Sequence, residues 1–425
     1  MKNQLRRFLL GPLVFVLAFL SLTSIRCWCQ ETVLHQFSGP DGAKPHAGLI
    51  SDTAGNLYGT TSAGGLYNAG TVFELVYTGG GYSETILHSF TGGNDGGSPL
   101  SSLAMDAAGN LYGSAETGGT GSCSSTGCGV VFELVKSTGY SETILHRFTG
   151  GADGGLPYAS LTFDASGNLY GTVMCGGSTV CSGGTRYGVV FMLVKASGYA
   201  EAVLHRFSGG ADGGVPVAPV ILDASGNVYG TTEAGGTGSC SASGCGVVFE
   251  LVKSSSFAET VLHRFTGGAD GGEPFAGVIA DASGNLYGTT TCGGSGSCTG
   301  GSGGDGVLFE IVKSTAALVP LHTFTGPDGA KSTASLVFDN TGTILFGTAA
   351  SGGAYGDGTA FQFSISANTY TKLLDFNGSA GGAIPISPLE YFQHRVGCVG
   401  RCVLGTTFFG GIDDLGLVYQ LNLVE

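Results

Sequence analysis

The sequence of 425 residues repeats one pattern about every 53 to 59 residues. One element of the pattern reads Glu-Thr-(Val/Ile)-Leu-His-x-Phe, and its histidines are His35, His88, His146, His205, His263 and His322. A seventh, altered copy is Leu374-Asp375-Phe376. Between copies run Gly-Gly-x-Asp-Gly-Gly-x-Pro, an apolar stretch ending in Asp, Gly-Asn-Leu-Tyr-Gly-Thr-Thr and Gly-Val-Val-Phe-Glu-Leu-Val, with variations. A fixed period of this length is typical of repeat architectures.

Each repeat contains four strand-like runs bounded by turn residues. In the fifth unit these are strand A (Phe275–Asp281), strand B (Asn285–Thr290), strand C (Gly306–Val312) and strand D (Val319–Phe324). Four strands per unit predict the blade of a β-propeller. A sandwich would not repeat, and a parallel solenoid would use shorter rungs.

The strands can be counted along the chain. The seven C strands begin at Gly70, Gly129, Gly188, Gly246, Gly306, Gly358 and Gly416. The first D strand, residues 31–37, precedes any A strand, and the last unit ends without a D strand. Pairing strand 31–37 with strand 416–422 removes two open sheet edges at once. We therefore predict a single all-β domain, residues 30–425, that forms a seven-bladed propeller with four-stranded blades.

Glycine is unusually frequent, at 79 of 425 residues, and only 11% of residues are charged. Helical bundles are excluded because each glycine within a helix costs about 1 kcal/mol, and collagen is excluded because no Gly-X-Y register exists. The glycines recur at turns, in strand B and in the loops, where strand B's glycine is expected to permit close packing. Six aspartates at the end of strand A should cap the A–B turn; they are Asp52, Asp106, Asp164, Asp223, Asp281 and Asp339.

The tandem Gly-Asn-Leu-Tyr-Gly-Thr-Thr, Gly-Val-Val-Phe-Glu-Leu-Val and Glu-Thr-Val-Leu-His-Arg-Phe units resemble the bacterial family of choice-of-anchor tandem repeat GloVer-containing proteins. The resemblance covers residues 31–425 and implies an exported repeat protein, often held at the cell surface by a C-terminal anchor. No anchor is visible after the last strand. The family brings no established activity, so it assigns no catalytic residue. A weaker resemblance to kelch repeats rests on the Gly-Gly after strand B.

Residues 1–29 have the pattern of a secretory signal peptide. Lys2, Arg6 and Arg7 precede an apolar run from Phe8 to Leu22, and cleavage is expected after Cys29 or Ser24. An acylated cysteine and an uncleaved anchor are the alternatives. We expect a secreted or cell-surface protein, with the periplasm as a second location, and no membrane span after cleavage. Removal of these residues changes the formal net charge from −14 to −18, which argues against binding nucleic acid or anionic lipid.

Ten cysteines remain, in five close pairs: Cys123/Cys128, Cys175/Cys181, Cys240/Cys245, Cys292/Cys298 and Cys398/Cys402. An even count in an exported chain predicts disulfides. A zinc site would need these pairs to converge with a histidine, and none lies nearby in the sequence. We therefore predict five disulfides and no metal or other cofactor.

The repeated histidines occupy one position per blade, so we expect them in the core or in hydrogen bonds between blades rather than in catalysis. Another six aspartates lie in the D–A crossovers: Asp41, Asp95, Asp153, Asp212, Asp270 and Asp328. Calcium is conceivable there because aspartate is a hard oxygen ligand. One aspartate per loop is too few, so we favour turn formation.

A binding site should lie where the repeat is broken, because specificity is usually placed at variable positions of a fixed scaffold. Strand geometry places the D–A and B–C loops on one face of the ring, and this face carries the varied positions. The candidate ligand-binding residues are Glu116, Met174, Glu233, Thr291, Phe408, Glu273, Arg186 and Tyr187. Lys44 and His46 in the first D–A loop also break the repeat.

Our leading hypothesis is a secreted, non-catalytic propeller that binds a polysaccharide or an envelope protein through this face. A metal-dependent enzyme of the lactonase or glycan-lyase kind is the first alternative. It would need several unlike polar residues converging on the channel, and the inner strands show none. A structural envelope protein without a ligand is the second alternative.

Overall fold

The computed structural model describes residues 30–181, 187–241, 243–298, 303–379, 381–393, 398 and 400–423. The predicted signal peptide, residues 1–29, and Arg186 lie outside the described residues. The described chain forms seven four-stranded antiparallel sheets, which are the seven blades of a β-propeller. None of the helices in the described part of the chain has the length and apolar character needed to span a bilayer.

Every blade contains one strand of each type, A to D, from the channel outward. The A strands are β2 (Ile50–Ser51), β6 (Ala104–Met105), β10 (Thr162–Phe163), β14 (Ile221–Leu222), β18 (Ile279–Ala280), β22 (Val337–Phe338) and β26 (Glu390–Gln393). The B strands are β3 (Leu57–Thr61), β7 (Leu111–Ala115), β11 (Leu169–Val173), β15 (Val228–Thr232), β19 (Leu286–Thr289), β23 (Ile344–Ala349) and β27 (Arg401–Thr407).

The outer strands of each blade are mostly longer, and each C–D pair contains a register shift. The C strands are β4 (Thr71–Tyr77), β8 (Val130–Val135), β12 (Val189–Val194), β16 (Val247–Val252), β20 (Val307–Val312), β24 (Thr359–Ser364) and β28 (Leu417–Leu423). The D strands are β5 (Tyr82–Ser89), β9 (Ser141–Arg147), β13 (Ala200–Arg206), β17 (Ala258–Arg264), β21 (Ala317–Thr323), β25 (Thr369–Asp375) and β1 (Gln30–Gln36). Three short 3₁₀ turns, Lys136–Thr138, Lys195–Ser197 and Lys253–Ser255, follow C strands.

The ring closes as the strand count predicts. β1 pairs antiparallel with β28, with Gln30 opposite Asn422 and Gln36 opposite Leu417. The last blade, blade 7, is therefore built from β26, β27, β28 and β1. Blades 1 to 6 follow in chain order from β2 to β25. Closing the sheet with the N-terminal strand ties both ends of the described chain into one blade.

The A strands are shorter than predicted. Strand A of the fifth unit was expected over Phe275–Asp281, but only Ile279 and Ala280 pair as a strand. The preceding residues line the channel, where backbone groups hydrogen-bond across blades instead. The Gly48 and Ser102 amides donate to Ser102 Oγ and Ser160 Oγ of the next blades. Crowding at the axis therefore replaces in-blade pairing with contacts between blades.

Two sets of contacts hold neighbouring blades together, one near the channel and one farther out. The first hydroxyl after the B-strand glycine, such as that of Thr60, donates to a carbonyl of the next blade's inner segment. All seven blades make this bond, through Thr60, Ser114, Thr172, Thr231, Thr289, Thr348 and Thr406. Farther out, the phenylalanine that follows strand D packs edge-to-face on an aromatic ring of the next C strand.

The outer aromatic pairs have ring centroids 5.1–5.4 Å apart, and six of the seven are Phe–Phe. The seventh is Phe376–Tyr419. The strand B glycine makes room within a blade, since a Cβ at Gly59 would lie 2.6 Å from Phe73 Cζ. This glycine therefore accommodates the strand C ring of its own blade.

The predicted A–B turn caps are confirmed. In blade 1, Asp52 Oδ1 accepts hydrogen bonds from the amides of Ala54 and Asn56, both at 2.9 Å. Equivalent bonds form at Asp106, Asp164, Asp223 and Asp281, and Asp339 accepts from the amides of Thr343 and Ile344. The D–A and B–C loops lie on one face, as predicted, since residues such as Ala43 and Ala63 pair across them. We call this face the loop face.

Candidate functional site

The central channel opens on the loop face, and the residue after each D–A proline or its equivalent lines the opening. These seven residues are all different: His46, Leu100, Tyr158, Val217, Phe275, Thr333 and Ile386. We call them the mouth residues. They surround a cavity of about 50 Å³, which has room for a few water molecules but is far below the ~300–1,000 Å³ of a ligand pocket.

A hydrogen bond between blades 1 and 3 crosses the mouth. The hydroxyl of Tyr158 lies 2.6 Å from His46 Nε2, and His46 Nδ1 lies 3.3 Å from the Leu100 carbonyl oxygen. Because a carbonyl can only accept, Nδ1 carries the proton and Nε2 accepts from the tyrosine. Burial lowers the pKa of His46 to about 4, so the imidazole is neutral at physiological pH. The bridge therefore closes the channel with neutral groups.

Aromatic rings extend this bridge in two directions. Tyr158 packs edge-to-face on Phe275, with ring centroids 5.5 Å apart, and His46 lies 6.1 Å from the Phe408 ring. Phe408 in turn packs on Phe409 at 4.8 Å, and Lys44 Nζ lies 5.7 Å from both ring centroids. The mouth is thus bordered by an aromatic cluster with one ammonium group above it, an arrangement favourable for cation–π attraction.

The residues predicted at the end of strand B lie beside the mouth. Their amides donate to the carbonyl of the residue that precedes the D–A proline, as in Glu116 to Ser98, Glu233 to Val215 and Phe408 to Ile384. Burial raises the pKa of the Tyr158 phenol, and the charges of the nearby Glu116 and Glu233 raise it further. The structure therefore brings Glu116, Glu233 and Phe408 together at the mouth.

The other predicted residues lie in different surroundings. The amide of Thr291 donates to Glu273, and burial raises the pKa of the Glu273 carboxyl. Met174 is 8% exposed and packs with Leu156, Val217 and the disulfide of its own loop. Tyr187 packs against the apolar core between blades and is absent from the described residues that line the cavity. Glu273 and Thr291 thus border the mouth, whereas Met174 supports it from below.

All five predicted disulfides are present: Cys123–Cys128, Cys175–Cys181, Cys240–Cys245, Cys292–Cys298 and Cys398–Cys402. The first four close the B–C loops of blades 2 to 5 on the loop face, and neighbouring bridges pack together, since Cys123 and Cys181 belong to one apolar cluster with Leu156. Five disulfides indicate an oxidising compartment. The cross-links make the border of the mouth rigid.

Sequence reasoning missed most of the mouth residues, although His46 was noted. Tyr158 and Phe275 follow a proline within a uniform loop, so each looks like part of the crossover. The available signal was that seven aligned positions hold seven different amino acids. A position that varies so fully on a repeating scaffold is free of the packing constraint that fixes its neighbours.

The repeated histidines form a second arrangement, at the outer rim of the ring. His35 Nε2 lies 3.2 Å from Asp41 Oδ2 in its own D–A loop and 3.7 Å from Glu84 Oε2 in the next blade. We call such sets the rim triads. Four are complete: His35–Asp41–Glu84, His88–Asp95–Glu142, His146–Asp153–Glu201 and His205–Asp212–Glu259. These histidines lie at blade boundaries, but the predicted hydrogen bonds between blades do not form among the described residues. Four histidines lie 3.7–3.8 Å from a glutamate of the next blade, a partner that the sequence reasoning missed. His263 and His322 bond to the aspartate of their own loop.

The D–A aspartates form turns, as predicted. Asp41 Oδ1 accepts from the Ser38 amide at 2.8 Å, and Asp95, Asp153, Asp212, Asp270 and Asp328 accept equivalent bonds from the amide at the start of their loops. The glutamate was hidden in the sequence because Glu84 lies 49 residues after His35. The packing of one blade on the next brings the two together.

Comparison with curated protein sequences gives no significant match. Among solved structures, an oligogalacturonate lyase in complex with manganese superposes with a TM-score of 0.56 at 12% identity, covering 93% of this chain and 94% of that one. An oligogalacturonate lyase from Vibrio parahaemolyticus gives 0.53 at 10% identity, with the same coverage. At these identities the likeness shows the fold alone. For TolB from Acinetobacter baumannii the TM-score is 0.42 at 12% identity, and the match covers 77% of this chain and 62% of that one.

A family model described as the Gloeobacter/Verrucomicrobia repeat matches residues 24–239 and 177–299. Together these matches cover more than half of the chain. They include blades 1 to 4 and the two inner strands of blade 5. The repeated units that suggested this family in the sequence are therefore the units that form the blades, and the chain belongs to the Gloeobacter/Verrucomicrobia repeat family.

Proposed function

We propose that this protein is an exported binding module that takes a polysaccharide across the mouth of the channel on its loop face. One observation carries the proposal: the seven aligned mouth residues are all different, while the surrounding blades are nearly uniform. Packing between blades demands the same residue seven times. A single ligand lying over the axis meets every blade differently and favours seven different side chains.

The chemistry of the mouth suits a carbohydrate. The faces of sugar rings carry C–H groups that pack on aromatic rings, and Phe275 and Phe408 border the opening. Sugar hydroxyls donate to carboxylates, and Glu116 and Glu233 flank Tyr158. Since the cavity holds about 50 Å³, a sugar cannot enter it. The ligand must lie across the opening, as an extended chain can.

An enzyme site is less well supported. The described residues that line the cavity include one imidazole and one phenol but no carboxylate. A pair of acid and base groups converging on a substrate would be required for hydrolysis or elimination. The neutral bridge between His46 and Tyr158 already uses both groups to close the channel. Its geometry therefore supports binding over the channel rather than reaction within it.

The test is binding of the purified full-length protein to an array of bacterial and plant polysaccharides, followed by affinity measurement. Phe408→Ala and a Glu116→Gln/Glu233→Gln double variant should each weaken binding at least tenfold. Tyr355→Ala is the matched control, because Tyr355 is an exposed aromatic of a B–C loop on the same face, 66% exposed and absent from the cavity lining. No binding to any glycan contradicts the proposal, and binding only to an envelope protein replaces the carbohydrate with a protein partner.

A further inference from the structure

The rim triads place two carboxylates and an imidazole around a common point at four blade boundaries. In the first three, the ligand atoms of the histidine, aspartate and glutamate all lie within 4.8 Å of one another. In all four, His Nε2 lies 3.2–4.0 Å from the aspartate and 3.7–3.8 Å from the glutamate. No Lys or Arg nitrogen of the described residues lies within 4.0 Å of these carboxylates. Arg147, Arg206 and Arg264 act electrostatically on Glu142, Glu201 and Glu259 from beyond that distance. No basic side chain of the described residues therefore forms a direct ion pair within the triads.

The histidine nitrogen that faces this point lacks a well-formed hydrogen bond in every complete triad. His Nε2 in all four triads is buried without a well-formed hydrogen bond among the described residues. Each glutamate also has one such oxygen, Oε1, which is the oxygen nearest the histidine only in Glu142. Leaving a buried polar atom unpaired costs about 1–3 kcal/mol, and more for a charged group. Such atoms are normally paired in native structures. The same omission four times over indicates that something is bound between them.

The chain contains its own control for this interpretation. At the next two blade boundaries the glutamate is replaced by Leu318 and Tyr370. There the histidine and aspartate approach directly, with His263 hydrogen-bonded to Asp270 at 3.0 Å and His322 to Asp328 at 2.9 Å. When the glutamate is present, the histidine stands away from the aspartate and faces both carboxylates. The complete triads therefore have the geometry of a ligand set rather than of a simple hydrogen-bonded pair.

We propose that each complete rim triad binds one divalent transition-metal ion, which joins two neighbouring blades. One imidazole and two carboxylates suit Zn²⁺ or Mn²⁺, whereas Ca²⁺ requires six to eight oxygen ligands. Zinc bonds of about 2.0–2.2 Å place tetrahedral ligands roughly 3.3–3.5 Å apart, close to the distances observed. The side chains are 11–23% exposed, which leaves a path for the ion and a position for water.

The supporting residues orient this set. Asp41 is held by the amide and hydroxyl of Ser38, and Asp212 by those of Ser208. Each histidine ring packs edge-to-face on the phenylalanine two residues later, as in His35 on Phe37 at 4.8 Å. Ligands fixed by such outer contacts bind metals more tightly. The first site also includes His35 of β1, so an ion there would fasten the strand that closes the ring.

The experiment counts metal ions per chain. The full-length protein, with its disulfides intact, is treated with chelator and dialysed against micromolar Zn²⁺. Its metal content is then measured by elemental mass spectrometry. We expect four zinc ions per chain, three after Glu142→Gln, and no retention of Ca²⁺ under the same conditions. The thermal midpoint should rise with Zn²⁺, and Glu142→Gln should reduce this rise.

A gain-of-site variant separates the proposal from a purely structural role. Leu318→Glu restores the missing ligand beside His263 and Asp270 and should raise the count to five. Glu31→Gln is the matched control: Glu31 occupies the glutamate position at the seventh boundary, where Leu374 and Gly381 replace the histidine and aspartate, so the count should stay at four. Fewer than one ion in the parent protein, or an unchanged count in a folded Leu318→Glu variant, overturns the proposal.

Discussion

The outer boundary between blades and the mouth of the channel are built from the same seven repeats in opposite ways. At the boundary, the residue after strand D is phenylalanine in every blade: Phe37, Phe90, Phe148, Phe207, Phe265, Phe324 and Phe376. At the mouth, seven aligned positions hold seven different residues. Six of the boundary positions face a phenylalanine and the seventh faces Tyr419, so packing imposes the same residue seven times. The mouth positions share a single space, and no symmetry constrains them.

The largest loss of folding stability is expected when an aromatic side chain at the boundary between blades is removed. Phe148→Ala removes a side chain that is fully buried and packed on Phe191 with ring centroids 5.2 Å apart. The cavity that remains should lower the free energy of unfolding by about 3–5 kcal/mol. Phe376→Ala, at the boundary where the partner is Tyr419, should cost a similar amount because Phe376 is only 1% exposed.

Chemical denaturation followed by circular dichroism measures both effects. The Phe408→Ala variant provides the comparison, because Phe408 is part-buried at the mouth and should destabilise the protein much less. If the mouth variant destabilises the fold as much as the boundary variants, the distinction between the two regions fails.

The fold could be predicted from the sequence because its determinants are local and repeated. Turn residues such as Gly55 follow the aspartate at the end of strand A in six of the seven blades. The spare strand at residues 31–37 indicated ring closure. The length of strand A could not be predicted in the same way. Whether Phe275 pairs within its blade or lines the channel depends on crowding at the axis, which appears only when seven blades meet.

The candidate site was predicted in part. Positions at the end of strand B vary visibly, and Glu116, Glu233 and Phe408 lie at the mouth. Tyr158 was missed because its bridge to His46 joins residues 112 positions apart. The rim triads were missed for the same reason, since a histidine and its glutamate belong to different blades. Contacts between repeats depend on how neighbouring blades pack, which the sequence of a single repeat does not specify.

The second prediction concerns the bridge at the mouth. Because the pKa of His46 is lowered from its usual value of 6.5 to about 4, the unfolded chain binds a proton between pH 6.5 and 4 that the folded chain does not. This histidine therefore makes stability fall as pH decreases through that range, by about 3 kcal/mol in total. His46→Asn should remove this dependence.

The measurement is the free energy of unfolding at pH 7, 5.5 and 4 for the parent and the variant. At pH 7 the variant should be less stable by about 1 kcal/mol, since it loses the hydrogen bond from Tyr158. The difference should shrink and then reverse toward pH 4, because the other titrating groups are common to both proteins and cancel. Parallel pH profiles would contradict the assignment of a neutral, buried imidazole.

The smallest change in stability is expected at the seventh blade boundary. Of the three triad positions there, only the glutamate, Glu31, is kept. One of its carboxylate oxygens is buried without a partner among the described residues, and burial raises its pKa to about 7. A raised carboxyl pKa means that the folded chain holds a proton that the unfolded chain loses above pH 4.5. Stability is therefore lost as pH rises from 4.5 to 7. Glu31→Gln should match the parent at pH 4.5 and exceed it above pH 7, by about 1 kcal/mol after allowance for solvent screening. Thermal midpoints at the two pH values measure this, and a destabilised variant at pH 8 would show that the charged Glu31 has a partner.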